Sequence, residues 1–105
     1  MEKTKRKRLE RKGFRVGTTK EFLGLSSDEA TYVELKLALS RKLADLRRRH
    51  NLTQVQAARI LQSSQSRVAK MEAGDPSVSL DLLVRSLLAL GLTKETLART
   101  IRAAS

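Results

Sequence analysis

Over most of the chain the apolar residues recur at spacings of three and four, the period of one face of a helix. Tyr32, Leu35, Leu39, Leu43 and Leu46 form the longest such stripe, and Val33 and Leu37 broaden it towards a second face. This pattern predicts a long helix over about Asp28–His50. Ser26 or Ser27 would cap it, with Asp28 and Glu29 at the positive end of the dipole and Arg47, Arg48 and Arg49 at the carbonyl end. Asn51 suits the left-handed residue that closes a helix, and Leu52 anchors the turn that follows. So broad a stripe has two readings of equal standing: contact with another chain, or packing under Phe14 and Phe22.

The stretch Thr53–Gly74 then reads as two short helices joined by a tight polar turn. Thr53 caps the first and Ser63 or Ser64 opens the second, which stops at Gly74. Ala58, Leu61, Val68 and Met71 are the apolar positions through which the two would pack. The outward positions of the second helix are Gln65, Ser66, Arg67 and Lys70, polar or cationic and free of acid. Asp75-Pro76-Ser77 is a turn, because proline cannot continue a helix. Ser79 caps a further helix over about Leu80–Leu90, with Leu80, Leu83, Val84, Leu87, Leu88 and Leu90 on a wide apolar face, and Gly91 ends it. Thr93 caps a last one, Lys94–Ala103, with Leu97, Ala98 and Ile101 on one side.

Ahead of these helices the pattern fades. Met1–Lys12 is nearly all charge, and only Leu9 could be buried, so the run cannot order itself by burial. Gly13–Thr19 is a connector. Thr18 and Glu21 form a capping box for a short helix over about Lys20–Leu23, stopped by Gly24. The expected fold class is therefore all-α, with about five main helices. Residues 1–26 form a basic N-terminal extension and 27–105 the helical domain.

Charge turns this architecture towards a partner. Lysine and arginine number 22 against 11 acids, giving a net charge of +11. The first fifty residues hold 15 of those bases and 7 of the acids. Such an excess points to a polyanion, and nucleic acid is the commonest. An acid-free polar helix face beside it has the character of a helix that reads a DNA groove. The absence of cysteine excludes disulfides and thiolate metal sites and is compatible with a reducing cytoplasm, the expected location. No apolar run approaches the ~20 residues of a membrane span, and the N-terminus lacks the apolar segment of a signal peptide. Neither a cofactor nor a metal is expected.

The ordered set Leu46-Arg47, Leu52-Thr53-Gln54, Ala58, Leu61, Ser64-Gln65-Ser66, Val68, Met71-Glu72, Gly74, Ser79-Leu80 and Leu90-Gly91-Leu92 resembles the Cro and lambda-repressor-like (XRE) helix-turn-helix family, with a core over residues 46–92. The resemblance implies a sequence-specific DNA-binding regulator, a repressor acting as a homodimer on a palindromic operator. It places Gln54 on a phosphate, and Gln65, Ser66 and Lys70 where they reach base edges. Glutamine can pair with adenine through two hydrogen bonds, and lysine can donate to guanine O6 and N7. Ser64 leaves helix-terminal amides near the backbone, and Arg67 is long enough to hold a phosphate. The resemblance also makes Arg47 and Glu72 a structural ion pair, whose disruption costs about 3–5 kcal/mol where it is buried. Two positions depart from the family pattern. Gln62 stands where the turn usually has glycine, and Ala57 replaces a larger aliphatic residue.

The stretch EFLGLSSDEATYVELKLALS with the basic leader resembles antitoxins of the HigA kind, which bind a RelE/ParE-type toxin and repress their own promoter. The competing reading is a general RNA- or ribosome-associated basic protein, but the candidate surface lacks aromatic stacking platforms. An enzyme has little support. His50, the one histidine, follows three arginines, the serines lack a paired base, and no phosphate loop or metal cluster is visible. The leader residues Lys3, Lys5, Arg6, Lys7, Arg8, Arg11 and Lys12 suit an arm along DNA phosphates. Deleting residues 1–12 is expected to flatten the salt dependence of operator binding by about 0.9 in log–log slope for each phosphate that the arm would have neutralised. An unchanged slope, measured by titration at several salt concentrations, would leave the leader a solvated tail.

Overall fold

The computed structural model describes residues 26–104, and every regular element among them is helical. The order is α1 (Ser27–Arg49), α2 (Gln54–Ile60), α3 (Gln65–Ala73), α4 (Leu80–Ala89) and α5 (Lys94–Ala103). Among the described residues the expected all-α class holds, with five helices. The basic leader, the connector and the short helix expected near Lys20–Leu23 lie outside the described residues, as does almost all of the extension placed at 1–26. By internal contacts the chain divides within α1: Leu35–Ala104 make one unit, and residues 26–34 fall with the unit before it.

One device starts these helices and another ends them. At Thr53, Ser64, Ser79 and Thr93 an extended residue turns its hydroxyl back to accept from the amide three residues on. Each satisfies a donor that has no partner inside the helix. Thr53 completes the exchange, its own amide donating to Gln56 Oε1 at 2.8 Å. Ser26 does the same for α1, where its amide reaches Glu29 Oε1 at 3.0 Å and its Oγ accepts from the Glu29 amide at 3.3 Å. Of the two serines that could cap α1, Ser26 is the one that does.

At the other ends a left-handed residue closes the helix at Asn51, Gln62, Gly74 and Gly91. Around each, the amide one residue later bonds to a carbonyl five positions back: Leu52 to Arg47 at 3.1 Å, Ser63 to Ala58 at 2.8 Å, Asp75 to Lys70 at 3.1 Å and Leu92 to Leu87 at 3.0 Å. This is the pairing that satisfies the last carbonyls of a helix. The chain uses the same stop four times, with glycine at only two of them.

Between the caps, Leu39 and Leu43 of α1, Ala58 of α2, Val68 and Met71 of α3, and Leu83 and Leu87 of α4 meet in one apolar core. Leu39, Leu43, Val68, Met71, Leu83 and Leu87 are at most 1% exposed. Burial of a side chain of this size contributes about 1.5–3 kcal/mol. Four residues on the expected apolar faces remain exposed. Tyr32 is 46% exposed, Leu88 45% and Ile101 41%, and Ala98 beside Ile101 is also exposed. Period alone identifies residues that share a helical face; whether another element covers the whole of that face depends on crossing geometry.

Gly74 answers two demands at once. Its φ is +75°, and a Cβ built there would lie 2.8 Å from Leu37 Cδ2. Gly91, at φ +100°, has open space in the same direction. Gly74→Ala should therefore lose about 2–4 kcal/mol and Gly91→Ala only about 1–2, the difference being steric. Chemical denaturation of the two variants checks this. Equal losses would show that Leu37 moves aside without cost.

Candidate nucleic-acid interface

The turn between α2 and α3 sets their relation. Leu61 caps α2, and Gln62 then takes φ +54°. The Gln62 amide bonds to Arg59 O at 3.2 Å while the Ser63 amide reaches Ala58 O. Gln62 thus adopts the left-handed conformation that glycine would take more easily, at a strain of about 1–2 kcal/mol. The departure in residue type leaves the left-handed turn in place. Ala57, the other departure, is 1% exposed, so its small side chain sits where a larger one would need space.

With α3 oriented in this way, Val68 and Met71 face the core while Ser64, Gln65, Ser66, Arg67 and Lys70 are exposed. Neither Arg67 nor Lys70 has an ion pair among the described residues. Ser64, Ser66, Arg67 and Lys70 line one wall of a groove of about 260 Å³, with Ser77 and Leu82 on the other. The sequence marks Ser77 only as a turn residue, and folding alone brings it opposite α3. Its amide and Oγ donate to Asp75 Oδ1 at 2.8 and 2.7 Å. Those two bonds hold the Asp75 carboxyl below the usual carboxylate range.

Behind the exposed face lies a polar chain. Arg47 Nε donates to Glu72 Oε2 at 2.6 Å and Nη2 to Glu72 Oε1 at 3.0 Å. Arg47 Nη1 also donates to Leu52 O at 2.9 Å, tying the end of α1 to its own turn. The two side chains are 14% and 9% exposed. The hydrogen bond to Glu72 raises the Arg47 pKa above its ordinary value, against the opposing effect of desolvation. Glu72 Oε1 takes a third donor, Gln54 Nε2 at 3.1 Å. Gln54 Oε1 in turn accepts from Gln65 Nε2 at 2.6 Å.

The family resemblance puts Gln54 on a phosphate and gives no sign of its bonds to Glu72 and Gln65. Those partners are eighteen and eleven residues away, beyond any local period. The leader residues Lys3, Lys5, Arg6, Lys7, Arg8, Arg11 and Lys12 lie outside the described residues. Among the described residues no group of His, Cys, Asp and Glu could hold a metal ion, and no helix is long and apolar enough to cross a membrane.

Two short helices held at a tight left-handed turn, the second exposing an acid-free polar face, define a helix-turn-helix domain, a class of fold used by DNA-binding regulators. Residues 38–100 match the family model described as a helix-turn-helix domain. That is more than half of the chain, which belongs to this family. No curated protein and no solved structure matches it.

The Arg47–Glu72 contact generates a stability prediction. In a double-mutant cycle of Arg47→Met and Glu72→Gln, read by chemical denaturation, we expect a coupling of about 1–3 kcal/mol. Simple additivity would mean that the pair contributes no interaction energy of its own.

Proposed function

We propose that this protein is a sequence-specific DNA-binding transcriptional regulator of the XRE type, a repressor that acts in the cytoplasm as a homodimer on a palindromic operator. The observation that carries the reading is the exposed face of α3, where Gln65, Ser66, Arg67 and Lys70 are polar or cationic and none is acidic. In this reading Gln65, Ser66 and Lys70 meet base edges in the major groove, while Arg67 and the α3 amides near Ser64 hold phosphates. Gln54 keeps one amide hydrogen for a phosphate after its bond to Glu72. Arg47 and Glu72 form the structural pair. Residues 1–26 supply a basic arm along the backbone, and 27–105 form the DNA-binding domain.

A symmetric dimer would set two α3 helices about 34 Å apart, one turn of DNA. The exposed Ala98 and Ile101 favour α5 as one element of its interface, with α1 as the other candidate. The antitoxin form of the reading adds a RelE/ParE-type toxin, and copurification with a small toxin encoded alongside would establish it. A general RNA-binding role explains the charge but not the organised face of α3.

Selection from random duplexes should yield an inverted repeat with half-sites one helical turn apart. Gln65→Ala should cost about 1–3 kcal/mol and relax one base position, whereas Arg67→Ala should weaken all sequences alike. Equal binding to unrelated DNA and to RNA in competition would overturn the proposal.

A further inference from the structure

The chain of hydrogen bonds from Arg47 to Gln65 has a direction, and the direction originates at Glu72. A carboxylate only accepts, whereas a side-chain amide can turn either its NH₂ or its oxygen towards a neighbour. Glu72 Oε1 lies 3.1 Å from the Gln54 amide, so the group facing it must be Nε2. Gln54 then presents Oε1 on its other side, 2.6 Å from Gln65, and an acceptor there requires Gln65 to offer Nε2. Gln65, exposed at the start of α3, is left with one N–H and its oxygen for a further partner, in an order set by the bond to Gln54. Adenine presents an acceptor at N7 and a donor at N6 in fixed order along its groove edge. An amide with a fixed order of donor and acceptor matches one orientation of that edge; an amide free to flip can match either and so discriminates less between them.

We propose that Glu72, besides pairing with Arg47, is a positioning residue for base recognition: through Gln54 it fixes the amide orientation of Gln65 and so sets which base Gln65 selects. The inference rests on the reading of Gln65 as a base contact. It concerns a residue that is 9% exposed in its side chain and that lies a hydrogen-bonded residue away from the one proposed to touch DNA. Replacing the carboxylate by an amide leaves one oxygen, which Arg47, a donor only, claims, so that an NH₂ faces Gln54. Gln54 must then turn its oxygen inwards, and the order of donor and acceptor along Gln54 and Gln65 reverses.

The test uses the full chain and the operator selected by the wild-type protein, with each of the four base pairs placed in turn opposite Gln65. For the wild type the preferred base should be favoured on the order of 10- to 100-fold. Glu72→Gln should reduce that ratio by about tenfold. Gln54→Ala, which interrupts the chain but leaves the ion pair intact, should reduce it similarly; if Glu72→Gln alone fails to fold, Glu72→Gln combined with Arg47→Met, which leaves no unpaired charge, carries the test. Arg47→Lys weakens the pair but retains the carboxylate; it should lower the thermal midpoint while preserving the base ratio. A merely structural Glu72 would make the ratio follow stability in all three variants. That outcome, or a wild-type ratio retained in folded Glu72→Gln whatever Gln54→Ala does, overturns the positioning role alone. A wild-type protein with no base preference at all overturns the functional reading as well.

Discussion

A carboxylate with little access to water must find donors for its oxygens, and Glu72 finds them on two other helices. Arg47 supplies two from the end of α1 and Gln54 one from the start of α2, while Glu72 itself stands near the end of α3. Desolvating a carboxylate costs several kcal/mol unless such bonds replace water. The arrangement is therefore satisfied only when α1, α2 and α3 hold one mutual geometry. Val68, Met71 and Ala58 supply the apolar attraction between the same elements, but apolar contacts tolerate small rotations. A planar guanidinium on a planar carboxylate does not. The core brings the helices together, and the polar tie selects among the ways they could sit.

The connections reinforce that selection at low sequence cost. A hydroxyl at each start and a left-handed residue at the ends of α1 to α4 mark where these helices begin and stop. α2 has 7 residues and α3 has 9, too short to be stable as isolated helices in water. They persist because both ends are satisfied and one face is buried. Gln62 shows that the turn is held by the elements around it: a residue with a Cβ accepts φ +54°, and the strain is offset by the packing of α2 and α3 on the core.

The parts legible in the sequence are those carried by local chemistry. Thr53, Ser64, Ser79 and Thr93 announce helix starts because a hydroxyl three residues before an amide is a short-range relation. Gly74 and Gly91 announce ends for the same reason. Tyr32, Leu88 and Ile101 mislead from a different cause. They have the right period, yet period cannot say how much of a face is covered. Gln54 reads as a phosphate contact from its place at the start of α2. Its bonds to Glu72 and Gln65 depend on how α2 crosses α3, and a glutamine seen alone carries no sign of which neighbour will claim each end of its amide.

That last point bears on how such a surface can discriminate. A glutamine at the tip of a helix is a poor reader by itself, because its two ends differ in hydrogen bonding but hardly in shape, and thermal flipping would present both. Discrimination requires something that can distinguish nitrogen from oxygen. A neutral amide or hydroxyl cannot do so, since each both donates and accepts. A carboxylate can, and an exposed one near the groove would repel phosphate. In the proposed reading, Glu72 meets both requirements by its position. It is held against Arg47, which balances its charge, and it meets the exposed face of α3 through the amide of Gln54. The acid that would be unfavourable on the outer face of α3 can thus be useful one layer beneath it.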